Sequence, residues 1–116
     1  MFRNNLKVEL DNNRDKCAIV IEDLHYEYKS EVITVPAGFK TDFASVPRIP
    51  IIFEVVGDRG MAAATVHDWL YQTGAMGRKE SDKVLLQALR DTKVGKFRSY
   101  LMYFGVRGFG WMFYKK

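Results

Sequence analysis

The sequence predicts an α+β fold: N-terminal antiparallel strands, then two antiparallel helices carrying a His-Asp motif, then a C-terminal aromatic helix. Three observations predict it. Short runs with period-two alternation, separated by polar turns, fill the first third. The hydrophobic period becomes helical after Gly60. Gly74, Gly77 and Gly95 then divide the helical part into three.

The strands come first. Leu6–Leu10 alternates, and Asp11-Asn12-Asn13 supplies turn chemistry. Ala18–Ile21, Leu24–Tyr28 and Glu31–Val35 follow, the last stopped by Pro36 and Gly38. Such runs suit an antiparallel meander or a pair of hairpins. Residues 36–58 read as a structured loop, punctuated by Pro36, Gly38, Pro47 and Pro50 and closed by Gly57. Within it, Ile49–Val56 is apolar and reads as a short buried helix or an extended segment. A loop of this length in a small protein usually carries function.

Met61–Thr73 is the first expected helix, ended by Gly74. Lys79–Thr92 is the second, with Val84, Leu85, Leu86 and Leu89 as its apolar face. Gly95 breaks the chain, and Lys96–Tyr114 is the third. Gly105, Gly108 and Gly110 lie inside it. Each costs about 1 kcal/mol against Ala in a helix interior, so they allow close packing or break the last turn.

The chain has 116 residues, 47% hydrophobic and 28% charged. These values fit one globular domain spanning residues 1–116 and exclude a disordered tail or a coiled-coil rod. One cysteine, Cys17, excludes a disulfide framework within the chain. Residues 1–5 lack an apolar run, so no signal peptide is expected. No stretch of 18 apolar residues suggests a membrane span. Charge is uneven: residues 1–71 carry 8 basic against 11 acidic residues, and residues 72–116 carry 10 against 3. The basic final third suits an anionic lipid surface, a nucleic acid or an acidic protein face, and equally a plain solvated helix surface. No Lys/Arg run exceeds two, so no nucleic-acid partner is expected.

The chemistry-bearing residues form a constellation. His67 and Tyr71, in His67-Asp68-Trp69-Leu70-Tyr71, are four apart and share a helix face. Asp68 sits about 100° further round. A short connection makes the next helix antiparallel, which brings Asp82 alongside His67 or Tyr71. A carboxylate beside an imidazole fixes its tautomer and stabilises the imidazolium. Asp42 and Asp68 then offer hard oxygens beside that histidine, the chemistry of a general base next to a Ca²⁺ site. Singly, each residue has a structural role open to it: a turn carboxylate at Asp42, a helix-dipole partner at Asp82, a tied core hydroxyl at Tyr71. Only two histidines and one cysteine are present, which argues against zinc.

Two resemblances follow. Residues 36–47, Pro-Ala-Gly-Phe-Lys-Thr-Asp-Phe-Ala-Ser-Val-Pro, together with residues 62–71, Ala-Ala-Ala-Thr-Val-His-Asp-Trp-Leu-Tyr, resemble a phage and prophage family known as domain of unknown function 1353. That resemblance implies a phage origin and a place in the host cytoplasm or the virion. The same segments resemble, more distantly, the prokaryotic branch of the secreted phospholipase A2 superfamily. There, the His of His-Asp-x-x-Tyr is the general base and the adjacent Asp binds calcium. A Thr-Asp upstream adds another ligand, and an Asp from a second helix orients the base. His67, Asp68, Tyr71, Thr41-Asp42 and Asp82 match these positions. The half-cystine positions of that branch are Ala44 and Ala64 here, and the Gly-rich calcium loop of the animal enzymes is absent.

The resulting expectation is a phospholipase A2-like, calcium-dependent acyl-ester hydrolase. His67 is the base, Asp82 orients it and Tyr71 supports Asp82. Asp42, Asp68 and the Phe43 carbonyl hold Ca²⁺. The alternative is a non-catalytic virion or tail component whose partners are other phage virion proteins. The aromatic C-terminal helix, with Arg107 the only charge between Ser99 and Tyr114, serves core packing or docking to a membrane or virion protein.

Overall fold

The computed structural model describes residues 1–10, 18–41 and 60–109. The architecture is α+β, with antiparallel strands first and three helices after them. Strands β1 (Val8–Leu10), β2 (Ala18–Val20) and β5 (Lys40–Thr41) form a three-stranded sheet in the order β1-β2-β5. Strands β3 (Leu24–Tyr28) and β4 (Glu31–Val35) form a separate hairpin. The β3–β4 ladder runs from Leu24 opposite Val35 to Tyr28 opposite Glu31. Alternation places Ala18, Val20, Leu24, Tyr26, Ile33 and Val35 in the core, as period-two patterning requires.

The hairpin turn is Lys29-Ser30, with φ of 48° and 68°. Positive φ at both central residues defines a type I′ turn, whose twist matches the flanking strands. Asn-Gly is the usual choice there. Here the five-pair ladder and the contact of Lys29 Nζ with Glu80 at 3.4 Å hold two ordinary residues in that conformation.

β1 is shorter than the alternation of Leu6–Leu10 suggests, and β5 falls where a loop was expected. β5 forms because Gly38, at φ 95°, turns the chain back. Gly38 N–H then donates to Val20 O, and Val20 N–H to Phe39 O. Pairing follows at Ile19 with Lys40 and Ala18 with Thr41. The expected turn at residues 11–13 and the apolar segment Ile49–Val56 lie outside the described residues.

Helix α1 spans Met61–Thr73, α2 Arg78–Asp91 and α3 Lys96–Phe109. Gly74 ends α1 in the left-handed region at φ 63°, its N–H bonded to Leu70 O. The break after α2 is made at Lys93, φ 65°, two residues before the expected Gly95. Val94 N–H closes that turn on Leu89 O. Leu86 is only half-buried, and Ala88 joins Val84, Leu85 and Leu89 on the buried face of α2. Gly105 and Gly108 sit within α3, while Gly110 and the rest of the expected helix lie outside the described residues.

α1 packs on α2 and α2 on α3, while α1 also meets β4 and β5. The T-shaped contact of Phe39 with Trp69, at 5.2 Å between centroids, joins the turn before β5 to α1. Tyr26 ties β3 to the end of α2, its hydroxyl donating to Asp91 Oδ2 at 2.7 Å. Burial, and then the adjacent Asp91 carboxylate, push the Tyr26 hydroxyl well above the ordinary tyrosine range. Tyr26→Phe is expected to cost about 1–2 kcal/mol, since the ring packing survives and one hydrogen bond to a charged acceptor is lost. Urea denaturation checks this, and an unchanged midpoint would deny the tie a stabilising role.

Candidate functional site

The site is built on α1 and α2. Helical spacing puts His67 and Tyr71 on one face, and their rings pack at a tilt of 41° with centroids 4.1 Å apart. The short connection after Gly74 turns α2 back alongside α1, and Asp82 meets both residues. His67 Nε2 lies 2.7 Å from Asp82 Oδ1. The Tyr71 hydroxyl donates to the same oxygen. His67, Asp82 and Tyr71 are all fully buried.

A third donor arrives from α3. Arg107 Nη1 donates to Asp82 Oδ2 at 2.9 Å. Arg107 is itself held at the end of α3, because Arg78 of α2 donates through Nη2 to the Val106 and Arg107 carbonyls. A guanidinium suits carbonyls at a helix C-terminus, where the backbone acceptors lack intrahelical partners. Sequence reasoning missed both arginines as parts of the site. For Arg107 a signal existed, since a lone charge in a long aromatic run needs a partner. For Arg78 there was none.

The electrostatics follow from burial and these bonds. Burial alone pushes the Asp82 carboxyl up. Hydrogen bonds from His67, Tyr71 and Arg107 outweigh that and hold it below the usual carboxylate range. Burial pushes His67 down, and Asp82 offsets this only in part. Asp82 is thus an anion already balanced by Arg107, and His67 is neutral. Burial, then Asp82, raises the Tyr71 hydroxyl, while Arg78 works the other way.

A neutral imidazole facing a carboxylate must donate, since the carboxylate only accepts. The network therefore assigns the proton to Nε2 and leaves the lone pair on Nδ1. Nδ1 is buried and has no hydrogen-bond partner among the described residues. Such an acceptor costs about 1–3 kcal/mol in a folded core, and a buried polar group of this kind is rare enough to call for an explanation.

Asp68 is buried next to His67, and Gln72 Nε2 donates to its Oδ1 at 3.0 Å. Its charge favours protonation of His67, although burial dominates. The expected metal ligands Asp42 and Phe43 lie outside the described residues, so their convergence with Asp68 does not enter the geometry. Among the described residues no group of three or more His, Cys, Asp or Glu side chains is placed to hold a metal. No helix among them is long and apolar enough to cross a membrane.

A depressed histidine has a stability consequence. The unfolded chain takes up its proton near the ordinary value of about 6.5, and the folded protein does so only at lower pH. The unfolded state then binds more protons, so stability is full above about pH 6.5 and falls as pH drops toward the folded value. Asp82 repeats the pattern below about pH 3.9. Chemical denaturation in the presence of a chelator, across pH 7.5 to 5, is expected to show wild-type stability falling more steeply than that of His67→Gln. Parallel curves would show that His67 is not buried neutral.

Fold and site together define an α+β protein with a buried His–Asp pair clamped by a tyrosine and an arginine. The chain belongs to a family of proteins of unknown function, DUF1353, whose pattern it matches over residues 18–106. No curated protein and no solved structure matches it.

Proposed function

We propose that the protein is a phage-derived, phospholipase A2-like hydrolase of lipid acyl esters, with His67 as its general base. The observation that supports this is the polarity of His67: Nε2 is locked onto Asp82, and Nδ1 carries a lone pair with no donor among the described residues. In the proposed reaction Nδ1 takes a proton from a water molecule as its oxygen attacks the ester carbonyl. The imidazolium formed is stabilised by Asp82. It then returns the proton to the leaving alkoxide, giving a fatty acid and an alcohol. Tyr71 and Arg107 hold the Asp82 carboxylate in place and are positioning residues.

The phospholipase resemblance also implies calcium. Asp68 fits that requirement as a buried, hard oxygen donor beside the base, and the proposed set is Asp68 with Asp42 and the Phe43 carbonyl. Ca²⁺, when bound, supplies Lewis-acid polarisation of the ester carbonyl. A set this sparse predicts weak binding, roughly 10⁻⁴–10⁻³ M. Calorimetric titration is expected to show calcium heat for wild type and none for Asp68→Asn. Wild type is expected to release fatty acid from vesicles of phosphatidylcholine and phosphatidylglycerol with Ca²⁺ and not with a chelator. Background release for several head groups in both conditions would overturn the hydrolase.

One observation favours a second reading. His67 and Asp82 are completely enclosed, as a purely structural tie would be. In that reading the protein is a non-catalytic virion or tail component, and the same assay returns background release.

A further inference from the structure

Helix α3 is amphipathic in an unusual sense. Ser99, Met102 and Val106 face inward and are buried. The opposite side is also apolar: Phe97 is 79% exposed, Phe104 64%, Tyr100 39% and Leu101 37%. These four follow the i, i+3, i+4, i+7 spacing of a single helical stripe. Such a stripe usually faces a core, and here it faces solvent. At about 100° per residue, Lys96 lies on one flank of the stripe and Arg98 on the other, both exposed. No acidic residue follows Asp91 in the chain, whereas Lys93, Lys96, Arg98, Arg107, Lys115 and Lys116 do. Tyr100 also lines a cleft of about 570 Å³ that carries Lys29, Lys83 and Arg90 against one acid, Glu27.

We infer that this face of α3 docks on an anionic lipid surface, with Phe97, Leu101 and Phe104 in the acyl boundary and Lys96 and Arg98 at the head groups. Charge selects the occupant. A second copy of the chain would bring two basic rims together across the stripe, and like charges oppose that pairing. A negatively charged bilayer complements the rim and accepts the apolar stripe, the arrangement of helices that lie in the interface plane. A nucleic acid complements the rim but leaves the aliphatic and phenyl surface of Leu101, Phe97 and Phe104 without a matching groove.

The inference does not depend on hydrolysis, and its test reads binding alone. Flotation with vesicles of equal parts phosphatidylcholine and phosphatidylglycerol is expected to carry wild-type protein, and pure phosphatidylcholine to carry far less. Neutralising Lys96 or Arg98 to Gln should weaken binding about fivefold each. The double variant Phe97→Ser/Phe104→Ser should weaken it by roughly tenfold or more. All three variants alter exposed positions and should melt with wild type, so lost binding is not lost folding. Equal flotation of wild type and all three variants would overturn the inference. So would a wild-type dimer in sedimentation equilibrium that Phe97→Ser/Phe104→Ser makes monomeric, since a second copy would then cover the stripe. Preferential binding to a single-stranded oligonucleotide over the anionic vesicles would overturn it as well.

Discussion

Asp82→Ala is expected to lower the stability of the protein by about 3–5 kcal/mol, the range for removing one partner of a buried charge pair. Asp82 accepts hydrogen bonds from His67, Tyr71 and Arg107 with both carboxylate oxygens. Its removal strands three donors at once. Two of them, on His67 and Tyr71, are fully buried, so each loses its acceptor inside the core. Arg107 keeps 32% of its side chain exposed and escapes part of the penalty, which places the expected loss toward the lower end. For a chain of this size that is a fall in melting temperature of roughly 10–20 °C. Asp82→Asn keeps the shape and one acceptor, and should lose less. What Asn still loses against wild type comes from Arg107, because an amide cannot balance its charge. Thermal unfolding of both variants checks the ordering. An Asp82→Ala protein that melts with wild type would mean the three helices are not tied through this carboxylate.

His67→Ala is expected to reduce ester hydrolysis by about 10²–10⁴-fold, the usual contribution of a general base. The same change should alter stability by only about 1–3 kcal/mol, since it removes one hydrogen bond to Asp82. It also removes a buried Nδ1 that had no partner among the described residues, which offsets part of that loss. The two readouts therefore separate. A rate loss of that size in a protein still folded at the assay temperature supports the base. Loss of melting temperature with no wild-type hydrolysis to lose supports the structural tie. Anionic vesicles are the substrate of choice because residues 72–116 carry 10 basic against 3 acidic residues.

The pairing at the centre of the site was legible in the sequence for a definite reason. His67 and Tyr71 are separated by one helical turn, and a connection of a few residues leaves the following helix little choice but to run back alongside. Asp82 then falls within reach of that face. Helical spacing alone allows Asp82 to meet either residue, and the expectation is that it orients His67 and is supported by Tyr71; in the fold one carboxylate oxygen meets both. That Arg107 needed a partner was legible, but not that the partner is Asp82. Arg107 lies 25 residues from Asp82, and its approach depends on how α3 packs across α2.

By itself, the sequence determined the strand and helix types, most of their ends and the His67–Asp82 pair. These depend on alternation, helical period, glycine at positive φ and short connections, all of which act over a few residues. Tertiary structure alone decided three things. β5 exists because β2 offered an open edge to the chain as it turned back at Gly38. Asp82 can stay ionised in the interior because His67 and Tyr71 from α1, and then Arg107 from α3, held by Arg78, all reach it. Phe97, Tyr100, Leu101 and Phe104 face solvent because the opposite side of α3 turns Ser99, Met102 and Val106 inward. A helix with apolar residues on two opposite sides carries two candidate burial faces in its sequence, and only packing against the rest of the chain selects between them.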